Sequence, residues 1–191
     1  MINYEKEFVE LSRKAHEQQY NSIKESESIL ILGLGQEVFN LKNLEKKKIF
    51  VLDIQDNYKE MQDEFLMNND FHIHIQDFNN LHKYPFSQRI DLVLCNFFLE
   101  YVKKIKHFFT IINDALHPKK GKLSLSLWNH DSSLVKTMNF IKKMESLSEQ
   151  FNLEILSVLI YDQKRINTSL DKETKYKTMG IMQLEFRRKG K

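Results

Sequence analysis

The stretch ILILGLGQEVFN, residues 29–40, decides how the rest of the chain is interpreted. Its first four residues, 29–32, are apolar, and a Gly-Leu-Gly turn at 33–35 follows them directly. A short apolar strand that ends in such a turn is typical of a parallel sheet whose next element is a helix. Glu37 stands near the place where these turns often carry a third glycine. The stretch therefore predicts the first strand, turn and helix of an α/β sheet, with an altered turn.

The composition is that of one globular domain: 191 residues, of which 41% are hydrophobic and 29% are charged. The beginning of the chain mixes acidic and basic side chains, unlike a signal peptide, and no apolar run approaches the roughly 18 residues that cross a bilayer. The net charge of +3 is too small to imply a nucleic-acid partner. We therefore predict a single domain in the cytoplasm, with a nuclear location left open, and no membrane association.

Apolar runs and helical periods alternate along the chain. Strands are predicted at 29–32, 48–54, 71–75, 90–97, 122–129, 151–162 and 178–188, and helices at 4–25, 38–46, 57–69, 100–116 and 132–151. This order predicts an α/β fold, a doubly wound Rossmann-like sheet of about seven mostly parallel strands with an antiparallel last strand and helices on both faces. We expect one domain over 1–191, made of a covering helix (1–27), a core (28–130) and a C-terminal helix with a strand pair (131–191).

Cysteine and histidine give little support to a metal site. Cys95 is the only cysteine and lies in the apolar run 90–98, so it is expected to be a small buried strand residue. His72 and His74 alternate with isoleucine and would share one face of a strand, with Asp70 nearby. A third ligand at a supporting spacing is missing, and an edge strand with its polar face outward explains the histidines better. We predict no metal.

The residues that follow the predicted strands are the candidates for ligand binding, because doubly wound sheets bind ligands beyond the carboxyl ends of their strands. Asp53 ends the second strand, 20 residues after Gly33 (53 − 33 = 20). A carboxylate at this position can accept hydrogen bonds from both hydroxyls of a ribose. The alternative is that Asp53 or Asp56 only begins the following helix. The combination of strand, Gly-x-Gly turn and acid indicates a nucleoside site.

Glu37 helps to choose between nucleosides. A dinucleotide would place its pyrophosphate at the N-terminus of the helix after the turn, where a carboxylate repels it. S-adenosylmethionine carries no phosphate, so Glu37 is less hostile to that ligand. A nicotinamide-dependent dehydrogenase is accordingly the weakest of the hypotheses.

As an ordered series, residues 29–129 resemble the class I S-adenosylmethionine-dependent methyltransferases. ILILGLGQE resembles their glycine motif and VLDI their acidic second motif, while QDFNNLHKYPFSQRIDLVLCNFFLEYV and INDALHPKKGKLSLSLWN resemble the third to fifth motifs. The resemblance implies S-adenosylmethionine as the cofactor. It implies a site formed by Gly33, Leu34 and Gly35 under the methionine, Asp53 and Ile54 at the ribose, Asp77 and Phe78 at the adenine, Asn96 and Phe97 beside the methionine, and Tyr20 of the covering helix at the methionine carboxylate.

The sequence departs from the family's pattern at several positions. The family often has an acid in place of Ile31, a glycine in place of Glu37, and histidines in place of Phe97 and Tyr101. A rival hypothesis follows from the first two departures, namely a catalytically degenerate methyltransferase-like binding or scaffold protein that would have a protein partner.

Candidates for acid–base catalysis are His130, just after the fifth strand, and Tyr101. The plainer alternatives are an exposed loop histidine beside a helix cap, and a residue of an ordinary first helical turn. A small-molecule acceptor is slightly favoured over an RNA base, because the chain has no large appended domain that would hold a polymer. An RNA-modifying enzyme would need a contiguous basic surface beside its pocket. The polar stretch 162–177 is expected to form a loop at the substrate rim.

Overall fold

The computed structural model describes residues 17, 19–33, 46–54, 70–129, 134–160, 164–167 and 176–189. The strands are β1 (Ser28–Leu32), β2 (Lys48–Asp53), β3 (Asp70–Ile75), β4 (Leu92–Asn96), β5 (Lys122–Asn129), β6 (Leu153–Ile160), β7 (Lys164–Asn167) and β8 (Tyr176–Arg188). The helices are α1 (19–25 in its described part), α2 (Ile105–Ala115) and α3 (Leu134–Glu149), with 3-10 turns at Phe78–Asn80 and Leu99–Tyr101. None of the helices in these ranges is long and apolar enough to cross a membrane.

The strands form one mixed sheet in the order β3-β2-β1-β4-β5-β8-β6. Strands β1 to β5 pair in parallel, whereas β8 runs antiparallel to both β5 and β6. The predicted doubly wound α/β sheet with an antiparallel last strand is therefore confirmed. The short strand β7, which pairs with β8 outside this order, was not predicted.

The apolar strand residues bury against helices on both sides of the sheet, as a central parallel strand requires. In β1 the side chains alternate between two cores, with Leu30 and Leu32 in one and Ile29 and Ile31 in the other. The larger core also contains the apolar side of α2, and the smaller core contains Ile23 of α1. Cys95 is fully buried in the larger core, as expected for a small strand residue.

The start of the helix predicted at 100–116 is wrong, because α2 begins only at Ile105. The side chain of Asn79 explains the delay. Its Nδ2 donates to the carbonyl oxygen of Tyr101 at 3.1 Å, and its Oδ1 accepts from the backbone N–H of Lys103 at 2.9 Å. These hydrogen bonds hold the segment between them outside the helix, so the chain makes a 3-10 turn before α2.

The loop predicted at 162–177 is also wrong in part. Residues Lys164–Asn167 form β7, which pairs with the beginning of β8 from Tyr176 to Met179. Backbone hydrogen bonds between strands require no particular side chains, so an extension of a hairpin past the core needs no apolar periodicity. The helices predicted at 38–46 and 57–69, and most of the one at 4–25, lie outside the described residues.

The third strand is an edge strand, as its two histidines indicated. The ring of His72 stacks on Phe50 with centroids 4.8 Å apart, and its Nε2 lies 3.2 Å from Oδ1 of Asp70. His74 contacts Phe86 edge to face at 6.1 Å. Within the described ranges, no three His, Cys, Asp or Glu side chains are grouped so that they would hold a metal ion.

Replacing Asn79 with alanine removes the two hydrogen bonds that shape the segment before α2. We expect Asn79→Ala to lower the free energy of unfolding by about 1 kcal/mol per lost bond at most, and to speed hydrogen exchange at the Lys103 amide. Hydrogen exchange followed by NMR measures both effects. Asn80→Ala, at the next position, is the matched control, since no described hydrogen bond uses its side chain. Equal exchange rates in both variants would contradict the assignment.

Candidate functional site

The strand order reverses between β1 and β4. Sheets of this kind bind ligands in a crevice at the carboxyl ends of the strands at such a reversal, so this edge is the candidate site. Three residues named from the sequence meet at this edge. Gly33 follows β1, Asp53 ends β2 and Asn96 ends β4. Since β1 pairs with both β2 and β4, these positions lie on neighbouring strands.

Two features of the structure require a glycine at position 33. Its φ of +70° lies in the left-handed region, which residues with a Cβ rarely adopt. A Cβ at this position would also lie 2.9 Å from Cδ2 of Phe98, closer than two carbon atoms normally approach. The Gly33 N–H donates to the carbonyl oxygen of Leu52 at 2.9 Å, so the turn continues the β1–β2 pairing. Leu34, Gly35 and Glu37 lie outside the described residues.

Asp53 is half-buried at the end of β2. Its Oδ1 accepts a hydrogen bond from the backbone N–H of Ile54 at 2.6 Å, and its carbonyl oxygen accepts from the N–H of Gln76 at 2.8 Å. The side chain of Ile54 is 64% exposed. An acid and an exposed apolar side chain therefore stand together between the ends of β1 and β3.

Asp77 caps the 3-10 turn Phe78–Asn80, because its Oδ1 accepts hydrogen bonds from the backbone N–H and from Nδ2 of Asn79 at 2.9 and 3.0 Å. These bonds, the backbone one first, and the charge of Lys103 lower the pKa of the Asp77 carboxyl, which is thus ionised at neutral pH. The ring of Phe78 is buried and packs edge to face on Phe98 with centroids 5.4 Å apart. Phe78 therefore presents its backbone, rather than its ring, to the crevice edge.

Asn96 is paired with Gln19 of α1, a residue that the sequence analysis did not select. Nε2 of Gln19 donates to Oδ1 of Asn96 at 2.7 Å, and Nδ2 of Asn96 donates back to Oε1 of Gln19 at 3.1 Å. Gln19 Nε2 also lies 2.9 Å from the hydroxyl of Ser124, and only 2% of the residue is exposed. The orientation of the Asn96 amide is thus set by a helix from outside the sheet.

A layer of polar side chains lies between α1 and the strands β4, β5 and β8. Ser22 donates to Oε1 of Glu185 at 2.7 Å, and Nε2 of Gln183 donates to Ser124 at 3.4 Å. The layer consists of Gln19, Ser22, Asn96, Ser124, Ser126, Gln183 and Glu185. The alternation of serine with leucine in KLSLSLWN is the sequence signal of this polar face.

Phe97 turns the chain at the end of β4 with a φ of +55°, which is rare for a bulky residue. Its N–H donates to the carbonyl oxygen of Ser126 at 2.7 Å, and its ring stacks on Trp128 with centroids 4.4 Å apart and planes at 22°. Backbone strain of this kind persists only where the surroundings hold it, and it occurs often at functional sites. The strained residue lies directly after the strand that borders the crevice.

A cavity of about 410 Å³ opens beside this turn, between the ends of β5 and the first turns of α3. Its apolar lining consists of Leu99, Leu127, Trp128, Phe140 and Met182. One acidic and one basic residue, Glu100 and Lys136, line it as well.

The remaining candidates occupy different surroundings. Tyr20 follows Gln19 in α1 and is 43% exposed. Tyr101 is 73% exposed, so its hydroxyl is not enclosed in a pocket, and it lies in a 3-10 turn rather than in the helix expected there. His130 lies outside the described residues.

A second group of charged residues lies at the opposite edge, where the strands begin. Lys46, Lys48, Arg89 and Lys120 line a cleft of about 430 Å³ there, with the acidic residues Glu27 and Asp91 among them. An RNA-modifying enzyme would have such a surface beside its catalytic pocket, whereas this cleft is separated from the candidate site by the length of the strands.

The sheet order and the crevice are those of the Rossmann-like methyltransferase fold. The N-methyltransferase NodS of Bradyrhizobium japonicum, solved with S-adenosyl-L-homocysteine, is 14% identical and matches with a TM-score of 0.63 over 94% of this chain and 88% of that chain. A candidate RNA methyltransferase of Pyrococcus horikoshii is 15% identical, with a TM-score of 0.56 over 94% and 81% of the two chains.

A third solved structure contains two proteins. A candidate methyltransferase of Haloferax volcanii in complex with the Trm112 methyltransferase activator is 15% identical, with a TM-score of 0.61 over 92% of this chain and 90% of that chain. No protein-family model matches the sequence, and neither does any curated protein. The comparisons therefore establish the fold.

Gly33→Ala tests whether the turn needs a glycine. We expect it to lower the free energy of unfolding by about 1–3 kcal/mol, because left-handed backbone costs an alanine about 1–2 kcal/mol and the new Cβ meets the Phe98 ring. Urea unfolding followed by circular dichroism measures the change. In a Phe98→Leu background the loss should shrink, since the ring contact is relieved. An identical loss in both backgrounds would show that Phe98 takes no part.

Gln19→Ala tests the amide pair with Asn96. Removing the Gln19 amide leaves the partly buried Asn96 amide and the buried Ser124 hydroxyl without this partner, which we expect to cost about 1–3 kcal/mol of unfolding free energy. Lys24→Ala is the control on the exposed side of the same helix, with an expected change within about 0.5 kcal/mol. Thermal unfolding of the two variants measures both changes. Similar losses of stability in Gln19→Ala and Lys24→Ala would show that the amide pair contributes little.

Proposed function

We propose that the protein is an S-adenosylmethionine-dependent methyltransferase that moves a methyl group from the sulfonium to an acceptor, with a small molecule favoured over an RNA base. One observation carries the proposal. At the point where the strand order reverses, the left-handed turn at Gly33 and the carboxylate of Asp53 lie at the ends of adjacent parallel strands. The likeness to NodS, solved with S-adenosyl-L-homocysteine, supports it.

The residues at the crevice fit a nucleoside without a phosphate. The left-handed backbone of Gly33 turns the chain at the end of β1, and the Asp53 carboxylate at the end of the neighbouring strand is suited to the two ribose hydroxyls. The ionised Asp77 is suited to the adenine amino group, with the Phe78 backbone beside the ring. In this proposal Leu34, Gly35 and Phe97 border the methionine, Ile54 borders the ribose, and Tyr20 approaches the methionine carboxylate.

Asn96 would face the methionine side, and Gln19 would position it. A carboxamide has two N–H donors and an oxygen with two lone pairs. The pair with Gln19 uses one donor and one acceptor direction of Asn96. The same pair holds the plane of the amide in place, so that its second N–H has one defined direction. We therefore assign Gln19 a positioning role rather than a catalytic one.

The reaction would need little acid–base help from the protein. S-adenosylmethionine supplies a methyl group that is already activated by its positive sulfur. A lone pair of the acceptor would form the bond to the methyl carbon as the carbon–sulfur bond breaks, with the electron pair staying on sulfur and any displaced acceptor proton passing to solvent. The residues of the chain would align the two reactants and exclude water, which supplies much of the rate. His130 and Tyr101 are candidates only for an acceptor that must first lose a proton.

The rival proposal is a methyltransferase-like binding or scaffold protein with a protein partner. Ile31 favours it, because this position is 1% exposed and apolar where an acid would contact the cofactor's ammonium. The complex of the Haloferax volcanii protein with an activator shows that a protein of this fold associates with a partner. Binding of the cofactor and its product separates the two proposals.

Calorimetry with S-adenosylhomocysteine and S-adenosylmethionine tests the proposed function. We expect micromolar binding of both, and at least tenfold weaker binding to Asp53→Ala, since a hydrogen bond to a carboxylate contributes about 1.5–3 kcal/mol and each 1.4 kcal/mol is a factor of ten. Asp70→Ala is the control, because Asp70 begins β3 at the opposite edge. If neither compound binds the native protein, the scaffold proposal is supported and the enzyme is not.

A further inference from the structure

We infer that the cavity beside Trp128 is the acceptor site, and that it takes a small, flat and mainly apolar molecule without a phosphate group. The inference rests on the proposed function, because the acceptor must lie next to the cofactor crevice. It adds the chemical class of the acceptor, which the sequence analysis left open between a small molecule and an RNA base.

The segment after β4 connects the crevice to the cavity. Phe98 packs against the turn at Gly33, on the crevice side. The next two residues, Leu99 and Glu100, line the cavity. Phe97, just before them, stacks on Trp128 of the cavity wall. A ligand in the cavity would therefore be separated from the crevice only by this short strained turn.

The lining determines the shape and polarity of the ligand. A volume of about 410 Å³ lies in the range of small-molecule sites, roughly 300–1,000 Å³. Phe140 lines the cavity from α3, and an aromatic ring in the wall favours a flat ligand, since offset stacking on such a ring is attractive. Leu127 and Met182, paired across β5 and β8, are almost fully buried on the same face of the sheet, so the cavity floor offers apolar contact rather than hydrogen bonds.

The charges around the cavity disfavour a phosphate. Among the described residues that line the cavity there is one cation, Lys136, and one anion, Glu100, so their two formal charges cancel (+1 − 1 = 0). A phosphate group carries up to two negative charges and is bound where cations are in excess. Such an excess lies in the cleft at the opposite edge, with Lys46 and Arg89. An RNA backbone attracted to that cleft would be drawn away from the cavity.

Trp128 provides a direct test, because it is the only tryptophan in the chain. Its indole N–H gives a single resolved signal in a proton–nitrogen correlation spectrum of the full-length protein. The probes are 4-methylphenol and 4-methylphenyl phosphate, which share one ring and differ in the phosphate. We expect 4-methylphenol to shift the indole signal with a saturable millimolar dissociation constant, and the phosphate to bind at least tenfold more weakly. Uridine 5′-monophosphate represents the RNA alternative and should behave like the aryl phosphate.

Substitutions in the cavity show where the probe binds. Thr137 lines the cavity and is 6% exposed, so Thr137→Leu should fill part of the space and weaken 4-methylphenol at least fivefold. Phe140→Ala removes part of the cavity wall instead of filling the cavity, and it should weaken the binding of 4-methylphenol as well. This variant replaces Thr137→Leu if Thr137→Leu does not fold. Met138→Ala, at a 43% exposed position of the same helix, should leave the dissociation constant unchanged.

The outcomes separate this inference from the proposed function. If S-adenosylhomocysteine binds but 4-methylphenol gives no saturable shift, the acceptor class is wrong and the enzyme proposal stands. If either phosphate probe binds as tightly as the phenol, an acceptor that carries a phosphate replaces the one inferred. If the phenol binds and neither adenosyl compound does, the cavity is a ligand site in a protein that is not a methyltransferase.

Discussion

The structure depends on the position of β1 in the middle of a parallel sheet. Because β1 pairs with β2 on one side and with β4 on the other, the connections on its two sides run in opposite directions around the sheet. This reversal opens the crevice, brings the ends of three strands together and leaves the turn at Gly33 between them. The pairing of β1 with β2 and β4 thus positions the crevice, the cavity after β4 and helix α1. A change within β1 would therefore affect every part of the site.

The sequence allowed the sheet to be predicted well, because buried parallel strands must be apolar on both faces. The strand expected at 122–129 is observed with the same bounds. Features that depend on distant partners were missed. The late start of α2 follows from Asn79, which lies more than twenty residues earlier in the chain, and the pairing of Gln19 involves Asn96 and Ser124, 77 and 105 residues away. A periodic pattern predicts which face of a helix or strand is buried. It does not predict which distant polar side chain will form a hydrogen bond with a residue on that face.

Around β5 the two faces of the sheet differ in their chemistry. On the side of α2 and α3 the contacts are aromatic and aliphatic, with Phe108, Phe109 and Phe186 fully buried. On the side of α1 a layer of amides and hydroxyls covers β4, β5 and β8. Apolar contacts do not depend on the relative orientation of the side chains, whereas hydrogen bonds require a defined orientation of donor and acceptor. The aromatic face therefore holds α2 and α3 by apolar contact, and the polar layer sets the direction of α1 over β4, β5 and β8.

The reciprocal amide pair between Gln19 and Asn96 has a consequence for how the protein diverges. Each side chain presents a donor to the other's acceptor, so a change in one residue alone leaves the amide of the other without its partner or opposed by a like group. An aspartate at position 96 would turn two oxygens toward a partner that offers only one suitable nitrogen. Positions 19 and 96 are thus expected to change together during evolution. Correlated substitution at the two positions would identify the lineages in which α1 still packs on the sheet through this pair.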